Sequence, residues 1–142
     1  MWLAPARTRF GRAPATDEAL LDAFLDGTAW VKTGPAAWNA LGLGATALFA
    51  HPLVYNTKRT GRFNVGGRTF DLHRQAFPKD PPVEWFVVDL LRHTDAAGLE
   101  REDVVRALAL RRDRFDAGRL RDMAARFGTR AEQEAVARAL AS

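Results

Sequence analysis

Residues 62–74, RFNVGGRTFDLHR, carry the most regular hydrophobic pattern in the chain. Apolar and polar positions alternate on both sides of Gly66-Gly67, the period of a strand with one buried face. Two successive glycines suit the positive φ angles of a two-residue hairpin turn. Pairing Val65 with Arg68 puts Phe63 opposite Phe70 and gathers Phe63, Val65, Phe70 and Leu72 on one face. The same register sets Arg62 opposite Asp71 and Asn64 opposite Thr69 on the other face. Turn chemistry and face separation therefore specify one pairing.

Before the hairpin the pattern is mixed. Leu20, Leu21, Phe24 and Leu25 repeat at helical spacing after Thr16, a suitable N-cap followed by Asp17 and Glu18, and Gly27 ends the run. TAWVKT (28–33) is rich in β-formers and predicts a short strand. In TGPAAWNALGLG (33–44), Thr33 or Gly34 can cap, and Pro35 suits the first helical position. Trp38 and Leu41 then share one face of a short helix that Gly42 stops. ALFAHPLVYNT (47–57) reads as a strand interrupted at His51-Pro52.

After residue 80 the period becomes 3.6. Asp80 is placed to cap a helix with Pro81 at its first position, and Val83, Phe86, Val87, Leu90 and Leu91 form its apolar stripe. Residues 99–110 predict a second helix. Asp116 caps a third, with Leu120, Met123, Ala124 and Phe127 on its apolar side and Gly128 as its stop. Thr129 and Glu132 form a capping box that opens a fourth. The expected fold is α+β: a small, mostly antiparallel sheet with a glycine-turn hairpin, flanked by helices and a three- to four-helix C-terminal portion. Residues 16–142 are expected to form one domain, preceded by an extended basic arm over 1–15.

Composition narrows the function classes. A chain of 142 residues without cysteine has no disulfides to lean on, which fits a reducing compartment. No apolar run approaches the ~20 residues of a membrane span, and the N-terminus lacks an apolar signal core. A cytoplasmic protein without a membrane partner is expected. The formal charge of +4 comes from abundant arginine and permits an anionic partner.

Candidate chemistry is sparse. TGPAAWNALGLG lacks the lysine of a phosphate loop, Pro35 removes one N–H donor, and Lys32 precedes the turn. A short docking helix explains the stretch better. His51, His73 and His93 lie too far apart for local metal-ligand spacing. His93 near a helix C-terminus is accounted for by the dipole. His73 and Asp71 could form an acid–base pair, but Arg62 competes for Asp71, and no nucleophile or oxyanion hole accompanies them. Serine occurs only at Ser142. No enzyme, metal or cofactor is expected. Residues 123–140 have a helix-turn-helix outline, yet Glu134 falls where that motif buries an aliphatic residue, and Glu132 and Glu134 would oppose phosphates. The candidate binding surface is the basic hairpin with its approach: Lys58, Arg59, Arg62, Arg68 and Arg74.

Several of these short motifs occur together in a known family. Thr33-Gly34, Leu41-Gly42-Leu43, Val54-Tyr55-Asn56-Thr57 and the basic hairpin around Gly66-Gly67 lie within residues 31–78. That region resembles the core of the AbiEi-type antitoxins of bacterial type IV toxin–antitoxin (abortive infection) systems, and the layout of the helices that follow is similar. The resemblance implies a non-enzymatic antitoxin, related to transcriptional regulators, that counters a nucleotidyltransferase-type toxin. It makes the 33–44 stretch a scaffold turn and docking helix. Many members also bind their promoter through an N-terminal winged helix. The roughly fifteen residues before the first predicted helix are too few for one. The alternative expectation is a nucleic-acid-binding regulatory protein that meets DNA through the basic hairpin or the C-terminal helices.

Overall fold

The computed structural model describes residues 16–46 and 48–141, so the arm expected over 1–15 lies outside the described residues. Helix α1 (Asp17–Phe24) starts where Thr16 Oγ1 accepts the Ala19 N–H, as its capping position requires. Strand β1 (Trp30–Thr33) leads through Gly34 into the short helix α2 (Pro35–Ala40). Strands β2 (Leu53–Asn56), β3 (Gly61–Val65) and β4 (Arg68–Arg74) complete a four-stranded sheet of order β1-β2-β4-β3. Four helices follow: α3 (Val83–Arg92), α4 (Arg101–Leu110), α5 (Ala117–Phe127) and α6 (Arg130–Ala141), with a 3-10 turn at Arg112–Arg114 between α4 and α5. The fold is α+β, with a mostly antiparallel sheet.

The hairpin has the register that its alternation predicts, from Val65–Arg68 to Arg62–Asp71. β1 and β2 are also antiparallel, but β4 inserts between β3 and β2 and runs parallel to β2. The loop 57–60 must therefore cross the end of β4. It is tied there by the Arg74 N–H donating to Thr60 Oγ1 at 2.9 Å and the Gln75 N–H donating to the Asn56 carbonyl at 3.1 Å.

β2 is central and covered on both faces, so all four of its residues are buried and its alternation is hidden. Val54 joins Phe70, Leu72, Leu21 and Leu25 in the core under α1. Leu53 and Tyr55 join Val31, Trp38, Leu41 and the C-terminal helices in the larger core on the other face. Trp38 is fully buried, as a docking helix requires.

Two expected boundaries move. The strand expected over 47–57 is only Leu53–Asn56 among the described residues. Pro52 has no N–H to extend the ladder, and β1 has no residue to pair before Leu53. Helix α3 begins at Val83, with Pro82 as N-cap and no side-chain cap, instead of at Asp80-Pro81. Pro82 forces Pro81 out of the helical region, so the first turn can form only beyond it. The buried surface of α3 is also wider than the expected stripe. Trp85, Val88 and Asp89 are buried along with Val87, Leu90 and Leu91, while Val83 is exposed. α3 packs against α2, α5 and α6 at once, which leaves it little solvent-facing side. Asp116 caps α5, and the Thr129–Glu132 capping box forms. Among the described residues no helix is long and apolar enough to cross a membrane.

Candidate functional site

The five basic residues expected to form one surface divide into three environments. Gly66 and Gly67, at φ 59° and 84°, make the tight turn that aligns β3 and β4. On the face away from α1, Arg62 Nε donates to Asp71 Oδ1 at 2.7 Å. On the α1 face, Arg68 Nε lies 2.7 Å from Asp17 Oδ1, and Lys32 Nζ reaches Asp17 Oδ2 at 3.2 Å. Burial pushes the Asp17 carboxyl up, but its bonds to Arg68 and Lys32 outweigh that and hold it below the usual range. The remaining three gather at the opposite end of the sheet. Lys58 Nζ is 3.5 Å from Asp26 Oδ2, and the Arg59 guanidinium lies over the Phe24 and Phe63 rings. Arg74 is exposed beside Asn56, its register partner on β2.

The expected competition for Asp71 is resolved in favour of Arg62, and His73 is exposed at the end of the same strand. The dipole account of His93 is incomplete. His93 does cap the end of α3, but its Nε2 lies 2.6 Å from the Tyr55 hydroxyl and its ring stacks on Trp38.

These contacts belong to a buried polar cluster built around Asp89, which is 2% exposed. Asp89 Oδ2 accepts from Thr33 Oγ1 at 2.7 Å and from Trp38 Nε1 at 2.9 Å. Asp89 Oδ1 accepts from the Tyr55 hydroxyl at 2.5 Å. Thus the end of β1, helix α2, strand β2 and helix α3 meet at one carboxylate. The Tyr55 hydroxyl has one proton, and Asp89 takes it. Its contact with His93 then requires the proton on Nε2, which fixes the imidazole tautomer through the network. Burial, then the Asp89 charge, pushes the Tyr55 phenol far above its ordinary range. Burial also pushes the His93 imidazole below its usual value, against the opposing pull of Asp89. The cluster therefore holds a neutral imidazole, a neutral phenol and a carboxylate whose oxygens are occupied by neighbours. Its chemistry is that of a clamp between sheet and helices.

Sequence reasoning missed this cluster because a lone Asp within an amphipathic helix normally reads as solvated. One local signal was present: Trp85, Asp89 and His93 are spaced four apart, so they line one side of α3.

Two further acids are buried for structural reasons. Glu84, 3% exposed, accepts the Asp116 N–H at 2.9 Å and so fixes the entry to α5. Glu132 receives Arg92 and the Thr129 N–H, and Arg92 also reaches the Phe127 carbonyl. α5 and α6 thus pack onto the body through α3, and Glu132 is held inside the helical packing instead of facing outward. Among the described residues, no group of His, Cys, Asp and Glu side chains has a metal-binding arrangement. No family model matches the chain, and neither a curated protein nor a solved structure matches it.

Proposed function

We propose that this chain is a non-enzymatic, antitoxin-like domain of a bacterial abortive-infection system, acting in the cytoplasm against a nucleotidyltransferase-type toxin. The observation that carries the reading is the fit between its short motifs and the framework. Thr33 donates to Asp89, and Gly34 takes a φ of 104° where the chain turns from β1 into α2. Gly42 ends α2 at φ 73°. Tyr55 bonds Asp89, and Asn56 grips the loop that follows it. Five of the motif residues that carry the AbiEi resemblance, Thr33, Gly34, Gly42, Tyr55 and Asn56, therefore have a physical task in one scaffold. Action by binding is supported by the Asp89 cluster, whose reactive groups are directed at one another.

The test is capture of the tagged chain from its native lysate, with and without nuclease, followed by mass spectrometry. Recovery of a nucleotidyltransferase in both preparations supports the reading. Recovery of nuclease-sensitive material without any such protein contradicts it.

A further inference from the structure

The sheet end that gathers Lys58, Arg59 and Arg74 has features that the antitoxin reading does not use. Asn56 is fully buried, and its Oδ1 accepts the N–H groups of Lys58 and Arg59 at 2.8 and 2.7 Å, while its Nδ2 donates to the Arg59 carbonyl at 3.0 Å. The loop backbone is thereby fixed before any partner arrives. Arg59 stands 4.9 Å over the Phe24 ring and 5.8 Å over Phe63, and these half-buried rings lie 5.4 Å apart. The exposed guanidinium is thus parked on an aromatic pair. Lys58 faces Asp26, which is 82% solvent-exposed, and a pair so open to water contributes little and opens readily. Arg62 and Arg68, by contrast, are each held to a carboxylate at 2.7 Å. Of the five basic residues around the hairpin, the three not held tightly to a carboxylate therefore lie around the loop end, beside π-faces, where the C-terminal ends of the parallel strands β2 and β4 meet.

We propose that this end of the sheet binds single-stranded nucleic acid, with phosphates on Lys58 and Arg74 and a base stacked at Arg59 over Phe24 and Phe63. Cations alone would suit any polyanion. An acidic peptide offers carboxylates but no planar rings for the Arg59 platform. A duplex offers phosphates, but its bases are stacked away from the protein. A single strand supplies both groups. This inference stands independently of the toxin-binding proposal, since it is read without any toxin present.

The experiment is fluorescence anisotropy on the full chain, with fluorescein-labelled oligo-dT and oligo-rU of about 15 nucleotides, a length within the site sizes such surfaces cover. A duplex of equal length is the comparison. Arg59→Ala is expected to weaken binding roughly tenfold, and Arg59→Lys to recover only part of it, because charge returns without the plane. Arg74→Ala should lower the slope of log affinity against log salt by about 1. Arg106→Ala, an exposed arginine on α4, controls for net charge, and circular dichroism checks folding. The inference is overturned if the oligonucleotides do not bind, if Arg59→Ala behaves like Arg106→Ala, or if the duplex binds more tightly. It is equally overturned if affinity is lost only when Arg7, Arg9 and Arg12 are replaced by Gln.

Discussion

Tyr55 links two groups of opposite character: its hydroxyl donates to the Asp89 carboxylate and accepts from His93. Tyr55→Phe leaves the ring packing against Trp85 in place but removes one donor from a buried carboxylate. The expected loss is about 1–3 kcal/mol in urea unfolding; a change below a few tenths would show that the clamp is dispensable. His93 makes this cluster pH-dependent, and the sign follows from its lowered pKa. As pH falls through the ordinary 6.5, the unfolded chain takes up the proton before the folded one. Stability is therefore intact above about 6.5 and declines as the medium becomes more acidic, until His93 itself protonates. Asp17 and Glu132, with carboxyl groups held below 3.8 and 4.5, lose their contribution only at lower pH, so the two windows separate. His93→Gln should flatten the decline between pH 6.5 and 5, measured as urea midpoints. An unchanged slope in His93→Gln would contradict the assignment.

The elements differ in how much of them the chain spells out locally. The β3–β4 hairpin was fully legible, because turn, register and face separation are all fixed within thirteen residues and no distant segment can override them. The caps at Thr16, Asp116 and Thr129 were legible for the same reason. The parallel pairing of β2 with β4 was not, because it depends on which strand the hairpin places inward. The start of α3 was misplaced because two successive prolines act on each other's backbone. The Asp89 cluster joins residues 34 to 56 positions apart, beyond the reach of any periodicity, and only the Asp89–His93 spacing hinted at it. The five basic residues were found, but their pairing was not: Asp71 opposite Arg62 follows from register, whereas Asp17 and Asp26 reach the sheet only through the placement of α1 and its following loop. Gly66→Ala tests the turn. A φ of 59° strains a residue bearing Cβ, and that Cβ would meet Leu20 Cδ2 at 2.7 Å. A loss of about 1–2 kcal/mol is expected. Gly66→Asn, although larger, should cost less, since Asn tolerates the left-handed region; the reverse order would place the cause in crowding against Leu20.

At the scale of the whole molecule, charge and architecture tell different stories. Arg7, Arg9 and Arg12 account for three of the four net positive charges, and no acid accompanies them in the first fifteen residues. The rest of the chain is close to neutral, and much of its charge is consumed in internal pairs such as Arg68–Asp17 and Arg138–Glu102. A broad electrostatic footprint of the kind duplex binders use is therefore weak on the body. If the chain neutralises a nucleotidyltransferase-type toxin, as proposed, growth of a host cell that carries both reports it. A nucleotidyltransferase-type protein encoded beside the chain is induced in a host cell with and without the chain, alongside a catalytically inactive variant as control. Growth arrest is expected to be relieved when the chain is co-expressed. Arrest that persists unchanged, with the chain present as soluble folded protein, would contradict it.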